Sequence, residues 1–163
     1  MRSQRFGARV TLDSGGRAVI AVPFDPDELW GAKAFHLVGG TIHAADGSQC
    51  GRYLRGKITP DGGDWVFTLN PMWARGVGVS TGDEVTAELW PEGPQRADLA
   101  DDLAEALAAN PAAAAFFDTL AQFYRKAYLT WIDATKRKPE LRAARIAEVV
   151  DLLAAGVKQR PRP

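Results

Sequence analysis

Three side chains in the first part of the chain could ligate a metal ion or act as a nucleophile with its base: His36, His43 and Cys50. Zinc sites need three or four ligands at close local spacing, typically as Cys-x-x-Cys or His-x-x-x-His, and neither pattern occurs. Seven-residue separation also puts the two histidines on opposite faces of one continuous strand, unless Gly39-Gly40 makes a bulge or turn. We therefore predict no metal ligand and no cofactor, and read these residues as ordinary surface or half-buried side chains.

The sequence also lacks the known motifs for covalent catalysis and for phosphate binding. The chain has no Gly-x-Ser-x-Gly elbow, and a lone thiol such as Cys50 is more often an inert small residue than a nucleophile. The glycine-rich run 76–82 lacks the lysine of a phosphate-binding loop and is better explained as a turn. The sequence predicts no catalytic residue and favours a protein that is not an enzyme.

A basic patch in the last third is the sharpest candidate site. Lys and Arg recur there against few acids, and Arg142 and Arg145 lie on one side of a helix near the turn at 136–138. We predict that this patch contacts an anionic ligand or a protein partner. The residues predicted for that contact are Arg125, Lys136, Arg142 and Arg145.

Two alternatives remain for these charges. An acidic stripe lies on the first predicted helix of this region, at Asp98, Asp101, Asp102 and Glu105, and the favoured interpretation of both surfaces is that they are solvated faces that can pair within the molecule. Arginines one turn before an inward residue can also lay their stems on the core and bond helix carbonyls or a carboxylate. That structural role is the favoured reading for Arg142 and Arg145.

Composition excludes several classes of protein. Twenty Lys and Arg balance twenty Asp and Glu, and residues 1–92 hold nine basic against eleven acidic residues, which argues against a nucleic-acid partner. The single cysteine excludes an internal disulfide, and no apolar run is long enough to cross a bilayer. With no secretory leader at the start, we expect a cytoplasmic protein without membrane insertion.

Two-residue alternation dominates the first ninety residues and predicts a small β-barrel. The pattern gives a first hairpin of Phe6–Leu12 with 17–22, and two short proline-started helices near Asp25 and Pro71. Further strands are predicted at 34–38, 41–44, 51–57, 65–69 and 84–90.

Helical periodicity replaces this alternation after a break rich in proline and glycine at 91–94. We predict a β-rich domain at 1–92 and a helical domain at 93–163, with few contacts at the break and a β fragment that folds alone. Helices are expected from an Asp98 cap, from Asn110-Pro111 with a break near 120–122, and from Lys138-Pro139 to Gly156. The basic tail 158–163 is expected to fray.

Residues 97–157 contain an ordered pattern made of the run Asp98–Leu107, of Asn110-Pro111 with Phe116-Phe117, and of later aromatic and arginine positions. In this pattern the segment resembles the helical domain of the bacteriocin-protection, OmpD-associated family. These later positions are Tyr128, Trp131-Ile132, Ala134, Lys136, Glu140, Arg142 and Arg145-Ile146, with Leu141 where the family usually has threonine.

Residues 4–90 look like the β-rich domain of unknown function that often precedes this helical domain. The resemblance implies a split-barrel fold and a role in bacteriocin protection or envelope stress, without an established reaction. The turn Gly82–Val85 is similar to that of swapped-hairpin transcription factors, which suggests a DNA-binding or antitoxin-like module instead.

The sequence therefore predicts an α+β protein, a small split-barrel-like β-barrel followed by a short α-helical domain. Its predicted function is non-enzymatic binding in stress or bacteriocin protection. The alternatives are the DNA-binding or antitoxin-like module, and a small-molecule-binding protein or enzyme with a pocket between barrel and helices, for which Arg52, Tyr53, Trp73 and Arg75 are the candidate lining residues on the barrel side.

Overall fold

The computed structural model describes residues 3–44, 53–135 and 137–162, and its contacts divide the chain into two compact units. The first, Met1–Pro91, is built from strands, and the second, Glu92–Pro163, from helices. The predicted α+β class, a curled antiparallel sheet followed by helices, is confirmed.

The β unit holds one antiparallel sheet, whose described strands follow the order β1-β7-β4-β5-β6-β3-β2. Because β1 and β2 lie at its opposite edges but are separated only by Val10, one bent strand belongs to both edges and the sheet curls round on itself. The backbone of Val10 fixes the bend through hydrogen bonds with Asp83 and Gly82. The strands are β1 (Gln4–Arg9), β2 (Thr11–Leu12), β3 (Ala18–Val22), β4 (His36–Ala44), β5 (Tyr53–Asp61), β6 (Asp64–Thr68) and β7 (Glu84–Pro91).

Two details of the predicted strands are wrong. The first hairpin exists only where Thr11 and Leu12 pair with β3, because β1 leaves to pair with β7. The two strands predicted on either side of Gly39-Gly40 form the single strand β4 instead. Both glycines keep extended pairing with β5 and β7, and a Cβ would lie 2.7 Å from Tyr53 Oη at Gly39 and 2.5 Å from Leu89 Cδ2 at Gly40.

Two short helices belong to the β unit, and both begin as the sequence predicts. Helix α1 (Pro26–Trp30) is capped by the Asp25 carboxylate, which accepts hydrogen bonds from the next turn, and Asn70 caps α2 (Pro71–Val77) in the same way. Each has proline at a first position that needs no N–H donor.

The helical unit contains four described α-helices around one apolar core. Asn110 caps α4, and the predicted break at 120–122 separates α4 from α5. Asp98 does not cap α3 as predicted: it closes a preceding 3-10 turn by accepting from the Gln95 amide, and α3 starts three residues later. The helices are α3 (Asp101–Ala108), α4 (Pro111–Thr119), α5 (Gln122–Asp133) and α6 (Pro139–Ala154).

His36 gives the β unit a predicted pH dependence. Its ring is 1% exposed between Trp30 and Trp65, and Nε2 lies 2.7 Å from Asp27 Oδ1. Burial is the main cause that lowers the pKa of His36, and the Asp27 hydrogen bond opposes it only in part. Protonation of His36 is therefore less favourable in the folded state than in the unfolded chain, where its pKa is about 6.5.

Stability contributed by neutral His36 is thus complete above about pH 6.5 and is lost as the pH falls through that value toward the lower folded pKa. Urea unfolding from pH 7.5 to 5 should show this loss in the native chain and a flatter profile in His36→Gln. Equal slopes in the two proteins would contradict the prediction.

Candidate functional site

The C-terminal segment packs against α5 and α6 around Trp131, which is half-buried. The Arg160 guanidinium carbon lies 3.5 Å from the centre of the Trp131 ring and that of Arg145 lies 4.6 Å from it. Arg145 is also held by a 2.6 Å hydrogen bond from its Nη1 to the Trp131 carbonyl. We call Tyr128, Trp131, Arg145, Arg160 and Arg162 the tail cluster.

The turn after α6 directs the chain into this position. Arg160 is partly buried there while Lys158, Gln159, Pro161 and Arg162 are exposed, and fraying of the tail stays a prediction. Gly156 adopts φ +75° and donates to the Leu153 carbonyl, while the Val157 amide donates to Leu152. This is a Schellman turn, which reverses the chain at a helix end. Tyr128 then donates a 2.7 Å hydrogen bond to the Val157 carbonyl and fixes the start of the tail.

A small cavity of about 200 Å³ lies between α5 and the tail. Its wall is aromatic at Tyr128 and Trp131, and its mouth is basic at Arg160 and Arg162, of which Arg162 is exposed. Burial raises the pKa of the Tyr128 hydroxyl, which stays a neutral donor. The cavity thus combines a flat apolar wall with positive charge at its opening.

The electrostatic balance of the tail cluster is positive. Arg160 forms an ion pair with Glu148, in which Glu148 Oε1 lies 3.9 Å from Arg160 Nε, beyond hydrogen-bond distance. Arg160 Nε is buried and makes no hydrogen bond within the described part of the chain. Three guanidinium groups against one carboxylate give a surface suited to an anion.

Arg125, the first of the predicted binding residues, lies inside the helical unit and is 1% exposed. Its Nε donates to Leu120 O, its Nη2 to Asp118 O, and its Nη1 to both Glu92 O and Pro94 O, at 2.8 to 3.2 Å. Burial lowers the pKa of this guanidinium from its usual value. The geometry is that of a residue that holds backbone segments together.

This network also overturns the expectation of few contacts in the proline-glycine break. Glu92 and Gln95 are buried, and the Gln95 side chain donates to the Glu92 carbonyl. Arg125 Nη1 donates to two carbonyl oxygens of this segment, those of Glu92 and Pro94. The Arg96 guanidinium adds a two-pronged bond to the Asp118 carboxylate at 2.9 Å.

Arg142 occupies the structural role that the sequence favoured for it. Its Nε and Nη2 donate to the two oxygens of Asp102 at 2.6 and 2.9 Å, and its Nη1 donates to Asp133 at 3.0 Å. These bonds raise the pKa of Arg142 above its usual value, and the Arg142 bond is the main cause that lowers the pKa of Asp102. One residue of the acidic stripe, Asp102 on α3, is thereby joined to α6 within the molecule.

The described residues of the predicted basic patch therefore do not form one surface. Arg125 is internal, Arg142 is paired with two carboxylates, and Arg145 faces Trp131. Lys136 lies outside the described residues, as do Cys50 and Arg52 from the other candidate sites.

Sequence reasoning missed Trp131 as the centre of the site, because an aromatic at that helical spacing also fits simple packing. The signal available was Val157 directly after Gly156, since an apolar residue there accompanies a Schellman turn and predicts that the chain folds back.

Metal ligation finds no support in the described ranges, where no group of three or more His, Cys, Asp or Glu could hold an ion. No helix among the described residues is long and apolar enough to span a membrane.

Comparison with known families connects the helical unit to one of them. Residues 96–156 match the family model OmdA, described as "Bacteriocin-protection, YdeI or OmpD-Associated". The resemblance predicted for residues 97–157 is thereby confirmed, whereas that of residues 4–90 to a β-rich domain stays a prediction. A search of curated proteins finds no match to the chain.

Proposed function

We propose that this chain is a non-enzymatic binding protein in bacteriocin protection and that the tail cluster holds an acidic segment of a protein partner. The family match supports the broad role, for which no mechanism is known. The observation that carries the binding site is the pair of arginines, Arg145 and Arg160, stacked on Trp131 beside a cavity of about 200 Å³.

Arginine chemistry favours a carboxylate-rich partner. Guanidinium groups bind carboxylates through paired N–H donors, and stacking on an indole ring holds the group in place before the ligand arrives. Arg160 is stacked on Trp131, and its ion pair with Glu148 is long at 3.9 Å, so a Glu or Asp of the partner has only this weak internal contact to displace. The small cavity beside Trp131 has room for one side chain next to that carboxylate.

This proposal changes the residues first predicted for an anionic partner. Arg145 is kept, while Arg125 and Arg142 take structural roles because their donors are engaged within the helical unit. Arg160 and Arg162 replace them. A contribution of Lys136 stays a prediction from the sequence.

Fluorescence anisotropy with a labelled Glu-rich peptide tests the proposal. The native chain should bind it, and binding should weaken steeply between about 0.05 and 0.2 M salt because exposed charges are screened. The double change Arg160→Glu with Arg162→Glu, and a chain ending at Val157, should each weaken binding at least about tenfold, the equivalent of about 1.4 kcal/mol. Both keep the Val157 carbonyl that Tyr128 requires.

The matched control is Arg75→Glu, which reverses an exposed arginine on α2 of the β unit and should leave binding unchanged. A Gln-rich peptide should not bind. If the tail variants bind the Glu-rich peptide as the native chain does, or if a DNA duplex binds with equal strength, the proposed partner class is wrong.

A further inference from the structure

A second surface of the helical unit is a groove between α3 and α6, away from the tail cluster's lining residues. Its cavity volume is about 500 Å³. The buried side chains Ile146 and Val150 form the floor, and Ala106, Ala143 and Ala147 form the walls. Because alanines stand where longer side chains would fill the space, the apolar floor remains open to the outside.

The rim of this groove is acidic along α3 and at the C-terminal end of α6, whereas the exposed Lys138 precedes Pro139 at the other end. Asp151 is exposed at one end. Arg142 at the other end is balanced by two carboxylates, Asp102 and Asp133, so it contributes no net positive charge. Asp101 and Glu105 are exposed on α3 and add negative charge beside the wall that Ala106 provides.

We propose that the α3–α6 groove binds an amphipathic helix with a basic flank, supplied by a protein or peptide partner. The small side chains at Ala143 and Ala147 lie one turn apart and permit close approach of a second helix. From Ala143 to Asp151 the floor extends about 12 Å, at 1.5 Å per residue, which matches two turns of a partner helix. Apolar residues at i, i+3, i+4 and i+7 would fill it, with Lys or Arg meeting the acidic rim.

Charge complementarity decides between occupants. An acidic or neutral amphipathic helix would bury its apolar face equally well but would meet Asp102, Asp151 and the exposed acids of α3 with no attraction. The groove therefore selects a cationic partner, whereas the tail cluster suits an anionic one. The two proposed sites bind partners of opposite charge, so the failure of one proposal does not affect the other.

A designed peptide of Leu and Lys in helical period is the probe, measured by anisotropy with the full chain. The native chain should bind it more tightly than a Leu and Glu peptide of the same apolar face. Ala143→Phe should weaken binding at least about tenfold by filling the trough, and Asp151→Lys should weaken it and reduce its salt dependence. Ala144→Phe, an exposed change at the next position outside the groove lining, is the matched control and should bind normally.

Several results would overturn the proposal. Equal affinity for the Lys and Glu peptides, or equal binding by Ala143→Phe and Ala144→Phe, would show that charge and groove do not matter. A concentration-dependent rise in mass of the native chain that Ala143→Phe abolishes would assign the groove to a second copy instead. Circular dichroism of each variant establishes that the helices are intact.

Discussion

Replacing Arg125 with methionine is expected to lower the free energy of unfolding of the helical unit by about 3 to 5 kcal/mol. Methionine preserves most of the side-chain volume but provides no donor. The change leaves the carbonyls of Glu92, Pro94, Asp118 and Leu120 without the guanidinium bonds that now satisfy them. Because the site is 1% exposed, bulk water does not replace those bonds.

Urea unfolding of the full chain, followed by circular dichroism, measures this effect. Lys126→Met alters the exposed neighbour on the same helix and should change stability by less than about 0.5 kcal/mol. Arg125→Lys tests geometry against charge: a single ammonium cannot span the same acceptors, so it should also be clearly destabilised. Stability of Arg125→Met within about 0.5 kcal/mol of native would show that the network carries no net free energy.

Replacing Gly40 with alanine should destabilise the β unit by about 3 kcal/mol, because the strands leave no room for one methyl group. A Cβ on Gly40 would lie 2.5 Å from Leu89 Cδ2 and closer still to the backbone carbonyl oxygen of Glu88. Backbone in the middle of a paired sheet cannot move aside without breaking the β4–β7 ladder. Gly7→Ala is the matched control, since its nearest contact would be an ordinary 3.9 Å from Val85 O.

Tryptophan fluorescence is a suitable probe for these two variants, because four of the five tryptophans lie in residues 1–91. Gly7→Ala should match or slightly exceed the native unfolding temperature, since alanine restricts the unfolded chain. If Gly40→Ala has the same unfolding temperature as Gly7→Ala, then β4 and β7 can separate at little cost.

Arginines that lie close together in this sequence have different roles in the structure. Arg125 and Arg142 come from the same basic stretch, yet one donates to backbone carbonyls and the other to two carboxylates. Arginine suits both roles and anion binding equally well, so its frequency in a segment predicts none of them. Only the acceptor within reach decides between a structural and a binding role.

The sequence by itself determined what depends on neighbours along the chain. Asp25, Asn70 and Asn110 followed by proline set three helix starts, and alternation set β1, β6 and β7, because caps and periodicity act over one or two turns. Tertiary structure alone decided the rest. Three such features join residues distant in sequence: the bend at Val10 that joins both sheet edges, the bonds from Arg125 to the carbonyls of Glu92 and Pro94, and the stacking of Arg160 on Trp131. Such pairings depend on which surfaces the folded chain brings within a few ångströms, and local propensity carries no information about that.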